Sequence, residues 1–182
     1  GWCLVLAEAA AGCELAGLRS RAERDGDDWI VNGQKIWTSG AHYADWGLLI
    51  TRTDPNVPKH SGLTMFFLSM KTPGVEVRPI EIISGQSPFS EVFFTDVKVP
   101  KENLVGKLNE GWSVAITTLA YERDLLTFIR HISLRNALHR LVKLVQARGR
   151  NTDPVVRQKV AELWIGEQAL QLNGYRSLTK IL

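Results

Sequence analysis

One short run of the sequence brings together residue types that could hold a flat aromatic ring. Trp37-Thr38-Ser39-Gly40 places an indole, two hydroxyl side chains and a glycine in succession. Asn32-Gly33 precedes this run among apolar, β-prone residues. An Asn-Gly pair in that setting is typical of a type I′ hairpin turn, because both central residues of the turn need positive φ. The sequence therefore predicts a hairpin at Asn32-Gly33, whose returning strand lays Trp37 against a flat ring and directs a hydroxyl at its edge.

Three blocks of the sequence together resemble the middle β-domain of the acyl-CoA dehydrogenases, flavoenzymes that desaturate acyl-CoA thioesters. The blocks follow the family's order and are residues 6–20, 32–40 and 93–106. In that family a Trp followed two residues later by Thr or Ser lies against the flavin of FAD. The resemblance therefore implies that Trp37 covers the flavin ring and that Ser39 reaches its N5 region. The neighbouring residues that it implies as FAD contacts are Leu6, Ala7 and Thr38.

The resemblance also implies a reaction with one base. A carboxylate removes the α-proton of the thioester while the β-hydrogen leaves as hydride to the flavin. In isovaleryl-type and long-chain members that base lies on the first long helix, one residue before an arginine, and Tyr121-Glu122-Arg123 matches this arrangement. Glu122 is then the catalytic base and Arg123 contacts the substrate. The alternative is an ordinary charged helix surface, since Glu-Arg pairs are common on helices, with the base further along the whole protein.

The loop that contacts flavin and CoA in the family departs here from the usual pattern. The family's loop reads Thr-Glu-Pro-Gly-Ala-Gly-Ser-Asp, whereas residues 7–14 read Ala-Glu-Ala-Ala-Ala-Gly-Cys-Glu. By position, Cys13 stands where a serine contacts CoA, so the resemblance makes it a substrate-binding residue. Ala7 lacks the hydroxyl that would bond the flavin, although backbone amides can still bind a ligand. The loss of side-chain donors keeps a second function open, a catalytically silent structural subunit or degenerate fragment that pairs with an active homologue.

A second departure concerns a candidate contact to the FAD pyrophosphate. Many family members carry an Arg-x-x-Phe-Gly loop that reaches the FAD of a neighbouring subunit, where this chain reads Arg148-Gly149-Arg150. On this basis Arg148 or Arg150 is expected to meet the pyrophosphate, and Arg148 is taken as the cofactor-binding residue. The alternative is that Arg148 is a cation at a helix C-terminus beside a glycine, a common arrangement that needs no ligand.

The first half of the chain predicts strands that would position these residues. Short apolar segments are separated by Gly, Pro and Asp clusters. They fall at residues 4–7, 18–24, 28–31, 34–37, 46–53, 63–69, 75–80 and 91–97. This spacing favours an antiparallel β-barrel or sandwich, assigned to residues 1–107.

The second half predicts long helices. Apolar residues recur with helical periodicity from Trp112 to Val145. Asp153 and Pro154 then match the N-cap and first helical position of a second helix. Residues 108–182 are therefore predicted to be the first, antiparallel helices of an incomplete C-terminal bundle, and the fold class is α+β. With 182 residues, the chain is expected to be an internal piece of a longer family member.

Composition narrows the class of protein further. The net charge of +3 is dispersed along predicted helices without interleaved aromatics, which argues against nucleic-acid binding. No apolar run is long enough to span a bilayer. Cys3 and Cys13 lack a metal-binding spacing, so no metal site is predicted and free thiols in a reducing compartment are expected. Without a basic leader there is no secretion signal, and the bacterial cytoplasm or the mitochondrial matrix is the expected location.

The resemblance thus implies an oxidoreductase of fatty acid metabolism and β-oxidation. It predicts FAD as cofactor, an acyl-CoA substrate and an electron-transfer flavoprotein or similar acceptor, in a homo- or hetero-oligomer. Dehydrogenase activity is expected of the complete protein, and whether this chain alone has it stays open. An acyl-CoA oxidase or a flavin monooxygenase on the same fold is a further alternative, since fold does not fix the reaction.

Overall fold

The computed structural model describes residues 1–12 and 14–179, and within its longer helix it leaves out the side chains of residues 123–128. The chain forms two compact units, Gly1–Ile116 and Thr117–Leu182. The predicted domain boundary between residues 107 and 108 is a finer assignment and stays a prediction.

Eight strands form one sheet in the first unit. They are β1 (Trp2–Val5), β2 (Arg21–Asp25), β3 (Asp28–Ser39), β4 (Trp46–Arg52), β5 (Leu63–Ser69), β6 (Val75–Ile80), β7 (Phe89–Val99) and β8 (Leu104–Val105). Short 3₁₀ turns lie at Leu15–Gly17 and Lys101–Asn103. The neighbours run in the order β6-β7-β3-β2-β4-β5-β8, with β1 on β4.

The sheet is mixed and open. β4 runs parallel to β1, and parallel to β2 where Arg21 is the partner of Arg52, while the other pairings are antiparallel. Within the described residues β6 and β8 end the path, so the sheet does not close into the predicted barrel. The α+β class is confirmed. The purely antiparallel arrangement is wrong in these two pairings, because strand spacing along a sequence does not determine which strands become neighbours.

The hairpin predicted at Asn32-Gly33 is wrong, because β3 runs through both residues without a break. The turn lies earlier, between β2 and β3, where Gly26 has a φ of +60°. Asn32 instead faces a bulge in β7. Its amide oxygen accepts the Asp96 N–H at 2.8 Å, and its amide nitrogen donates to Asp96 Oδ1 at 2.9 Å.

Gly33 is needed for close packing between strands. Its φ is +146°, and a Cβ at this position would lie 2.7 Å from the Cα of Ser20. That distance is below any ordinary carbon contact, and the obstacle is backbone that cannot rotate away. The glycine therefore allows β3 to approach the start of β2.

The core lies on both faces of β4 and β5. Leu49 and Phe66 belong to one buried cluster, whereas the adjacent Ile50 and Met65 belong to another. Successive strand residues point to opposite faces, so both faces of these strands are covered. The second cluster also contains Ala16 and Ala115, from the 3₁₀ turn and from the first turns of the long helix.

Two helices follow the sheet, α1 (Gly111–Ala147) and α2 (Pro154–Leu178). The predicted N-cap is confirmed, since Asp153 Oδ1 accepts the N–H groups of Val155 at 2.9 Å and Val156 at 3.2 Å. In the second unit, His131 of α1 and Glu167 of α2 are buried and hydrogen-bonded at 2.7 Å. Neither helix, over its described residues, is long and apolar enough to cross a membrane.

We predict that Gly33→Ala lowers the free energy of unfolding by roughly 2 to 4 kcal/mol, because the new Cβ meets backbone and the φ is unfavourable. Gly26→Ala is the matched control. Its φ is also positive, but a Cβ there has no atom within 4 Å, so it should lose only about 1 kcal/mol. Urea unfolding of both variants measures the difference, and equal losses would contradict the steric explanation.

Candidate functional site

Trp37 has an unusual backbone for a bulky residue. Its φ is +60°, and it lies in a bulge where the register against β7 shifts between Lys35 and Thr38. The side chain is 55% exposed, and its closest aromatic contact is the edge of Phe89 at a centroid distance of 5.9 Å. A bulky residue at positive φ is strained, and such strain concentrates at ligand sites. Trp37 is therefore the structural feature that best marks a functional site.

Trp37 and Ser39 share the exposed side of β3, and Thr38 lies between them on the buried side. Ser39 lines a cavity of about 450 Å³ together with Trp2, Tyr43 and Phe89. Phe89 contacts Trp37 and also lines this cavity, so the cavity that contains Ser39 lies near the Trp37 indole. Thr38 is 1% exposed, and within the described residues its Oγ1 has no hydrogen-bond partner, a property shared with Thr51.

The predicted loop residues lie beside the same strand. The carbonyl of Leu6 accepts a hydrogen bond from Lys35 Nζ at 2.9 Å. The carbonyl of Ala7 accepts the N–H of Ile36, also at 2.9 Å. The fold thus brings Leu6 and Ala7 next to the bulge that contains Trp37.

A buried ion pair holds this loop in place. Lys35 is completely buried, and its Nζ lies 2.9 Å from Glu8 Oε1. The Glu8 carboxylate also accepts the backbone N–H groups of Arg19 at 2.7 Å and Ser20 at 2.9 Å. The sequence reasoning missed this pair. The alternation of β3 could have revealed it, because Lys35 lies an even number of residues after the buried Trp29 and Val31 and is therefore expected on the same face of the strand.

The surroundings of the pair shift both ionisations. Burial lowers the pKa of Lys35 to about 8, and the Glu8 charge limits that shift. Burial acts to raise the pKa of Glu8, but the Lys35 charge and the Arg19, Ser20 and Lys35 hydrogen bonds bring it below its ordinary value. At neutral pH both groups are therefore ionised, and each charge is balanced inside the protein.

The remaining predicted site residues are not placed beside Trp37 by any described contact. Glu122 is an exposed residue of α1 in the second unit. Arg148 is exposed just after α1, where Gly149 has a φ of +63°. Cys13 and the side chain of Arg123 lie outside the described residues.

Comparisons with known proteins decide the family. The model of the acyl-CoA dehydrogenase middle domain matches residues 3–97, and that of the acyl-CoA dehydrogenase C-terminal domain matches residues 109–182. The chain belongs to the acyl-CoA dehydrogenase family. The resemblance stated from the sequence is thereby confirmed.

Alignments with individual proteins and solved structures cover nearly the whole chain. Acyl-CoA dehydrogenase FadE34 of Mycobacterium tuberculosis is 42% identical over an alignment of 185 positions, which covers 92% of this chain and 25% of that protein. A variant of the Tcur3481-Tcur3483 steroid ACAD has a TM-score of 0.89 at 31% identity, covering 98% of this chain and 46% of that one. A chain from the solved electron transferring flavoprotein of Acidaminococcus fermentans has a TM-score of 0.87 at 28% identity, covering 98% and 48%. The chain therefore spans less than half the length of these relatives.

We predict that Glu8→Gln and Lys35→Met each lower the free energy of unfolding by about 3 to 5 kcal/mol, because each leaves a buried charge without its partner. The double variant should lose clearly less than the sum of the two. Lys101→Met is the control, since Lys101 forms an exposed pair with Asp27 that should contribute only about 0 to 1 kcal/mol. Chemical denaturation gives the free energy of unfolding of all four variants. If each single variant loses no more than Lys101→Met, and the double variant loses the sum of the two, the pair does not hold the loop.

Proposed function

We propose that this chain works within an FAD-dependent acyl-CoA dehydrogenase that introduces an α,β double bond into an acyl-CoA thioester. The observation that carries the proposal is the strained, exposed Trp37, which is followed two residues later on β3 by the exposed Ser39. Family membership supports this reading, because the same two positions carry the flavin contacts that the family resemblance implies.

The residues of this surface fit a flavin. An indole more than half exposed offers a face for stacking on a flat ring, and Ser39 offers a hydroxyl donor beside it. Leu6 and Ala7 are proposed as further contacts through the loop that the Glu8–Lys35 pair holds. Thr38 joins them as part of the same strand segment, and Arg148 is proposed for the pyrophosphate. When bound, FAD supplies the acceptor for the hydride that leaves the β-carbon.

Glu122 is proposed as the base that removes the α-proton. Its exposure on α1 leaves the carboxylate able to accept a proton from a ligand, and the following Arg123 is proposed to contact the thioester substrate. Cys13 is proposed to contact CoA. The proposed electron acceptor is an electron-transfer flavoprotein or a similar protein, and the proposed assembly is an oligomer.

A catalytically silent subunit is the second candidate function, favoured by the loop itself. Ala7, Ala9 and Ala10 replace residues that in the family's loop provide a hydroxyl and a tight turn. Methyl side chains donate no hydrogen bonds, so at these three positions only backbone groups can bond a ligand. A silent subunit would keep the Glu8–Lys35 pair for stability and would not retain flavin.

We predict that Trp37→Ala weakens FAD binding by about tenfold or more, because it removes a stacking partner. Its free energy of unfolding should change by less than about 1 kcal/mol, since the indole is largely exposed. Trp164→Ala is the control, because Trp164 is 40% exposed and lies on α2. Titration of the apo form of the whole protein with FAD, followed by flavin fluorescence, measures the FAD affinity of both variants. Equal FAD affinity in all three folded proteins would remove the flavin assignment.

We predict that Glu122→Gln, in the whole protein, leaves FAD bound but slows flavin reduction by acyl-CoA by roughly 10² to 10⁴. The amide keeps the size of the side chain and lacks the basic oxygen. Glu162→Gln is the matched control, an exposed helical glutamate of α2. Anaerobic stopped-flow loss of flavin absorbance isolates this step. If Glu122→Gln reacts as fast as Glu162→Gln, the base lies elsewhere.

A further inference from the structure

Three arginines of the first unit surround a cavity that the reaction proposed above does not use. The cavity has a volume of about 390 Å³ and is lined by Leu18, Arg19, Arg21, Arg52 and Pro55. This set, called here the arginine pocket, lies where the start of β2 meets the end of β4. Three of its five lining residues are arginines, and none of the five carries a carboxylate side chain.

The sheet itself forces two of these cations together. Arg21 and Arg52 are direct partners across the parallel pair β2 and β4. The backbone N–H of Arg52 donates to the carbonyl of Ser20 at 2.8 Å. Arg19 lies two residues before Arg21, just ahead of β2, and both residues are exposed with the buried Ser20 between them. Like charges directly opposite each other are destabilising. A bound anion would remove that repulsion.

Arg52 is fixed in the pocket by backbone carbonyls. Its Nη1 donates to the carbonyl of Lys59 at 2.7 Å, and its Nη2 donates to that of Ala16 at 2.5 Å. A guanidinium has five N–H donors, so donors remain for a ligand. The guanidinium is therefore held in position in advance, which lowers the cost of binding.

No described carboxylate lies within ion-pair distance of the three guanidinium groups. Glu14 pairs with Lys59. Burial lowers the pKa of Arg52, and the Glu8 carboxylate opposes this shift. Glu8 is itself bonded to Lys35 and to the N–H groups of Arg19 and Ser20. The pocket therefore keeps a positive charge that nearby side chains do not neutralise.

We propose that the arginine pocket binds a phosphate group. Planar guanidinium groups match the oxygens of phosphate with paired hydrogen bonds, and three of them around one cavity suit a group with several oxygens. The identity of this phosphate rests on the proposed function: it is a phosphate of the CoA nucleotide. Free phosphate or pyrophosphate has the same chemistry, and the two sources are separated by competition.

The test is isothermal titration calorimetry of the full chain with inorganic pyrophosphate, CoA and dephospho-CoA, which lacks the 3′-phosphate. The variant is Arg19→Gln/Arg21→Gln, which leaves the structural Arg52 in place. Arg24→Gln is the matched control, because Arg24 is an exposed arginine of β2 outside the cavity lining. The double variant should bind pyrophosphate at least about tenfold more weakly, as expected for lost charge-assisted hydrogen bonds. Arg24→Gln should bind it like the unchanged chain.

Competition identifies the source. If CoA displaces pyrophosphate, the pocket takes a phosphate of CoA, and a weaker effect of dephospho-CoA assigns the 3′-phosphate. If pyrophosphate binds and CoA does not displace it, the pocket takes free phosphate. The proposal is overturned if the unchanged chain binds no pyrophosphate, or if the double variant and Arg24→Gln lose affinity equally.

Two further readouts keep this test separate from folding and from the dehydrogenase proposal. The double variant should unfold at the same or a higher urea concentration than the unchanged chain, since it loses a like-charge contact and no described carboxylate partner. A purely structural role for the arginines would lower that concentration. Flavin reduction does not enter the measurement, so failure of the dehydrogenase proposal leaves pyrophosphate binding intact.

Discussion

Lys35 is a fully buried cation, and the arrangement of the first unit around it follows from the need to balance its charge. An unpaired ammonium in an apolar interior is strongly unfavourable. Glu8 supplies the opposite charge, and the carbonyl of Leu6 completes the bonding. Because the Glu8 carboxylate also accepts backbone N–H groups at Arg19 and Ser20, a single ion pair joins the loop after β1, the start of β2 and the middle of β3.

This connection explains how a strained residue can persist at the end of β3. Trp37 follows Lys35 by two residues, and its neighbour Ile36 is hydrogen-bonded to the carbonyl of Ala7. Beyond the bulge, Thr38 is again in register with Ser90 of β7. A backbone at positive φ survives only where its surroundings fix it on both sides. The fixed bulge turns the indole outward, on the side that also carries Ser39.

The same ion pair orients the arginine pocket. The Glu8 carboxylate accepts the consecutive backbone N–H groups of Arg19 and Ser20, while Arg52 holds the neighbouring loops by donating to the carbonyls of Ala16 and Lys59. Strand register thus sets Arg21 opposite Arg52, and the guanidinium of Arg52 is held by these carbonyls. Both candidate ligand surfaces therefore depend on segments that one buried carboxylate holds.

The sequence by itself determined the features that depend on neighbouring residues. Strand segments, both helices, the Asp153 cap and the family blocks around Trp37 could be read directly, because propensity, periodicity and capping act over a few residues. The Asn32-Gly33 pair shows the limit of this reasoning. Its local preference for a turn is overridden by the pairing of β3 with β7 and by the close packing of Gly33 against Ser20.

Only the tertiary structure decided which distant segments meet. The parallel pairing of β2 with β4 placed Arg21 opposite Arg52, residues that are far apart in the sequence. The burial of Lys35 depended on Glu8, which approaches it from another loop. Such pairings are chosen by the packing and charge balance of the whole unit, and the local pattern around each residue carries little information about them. The family resemblance was therefore visible in the residues, while the way the protein holds those residues was not.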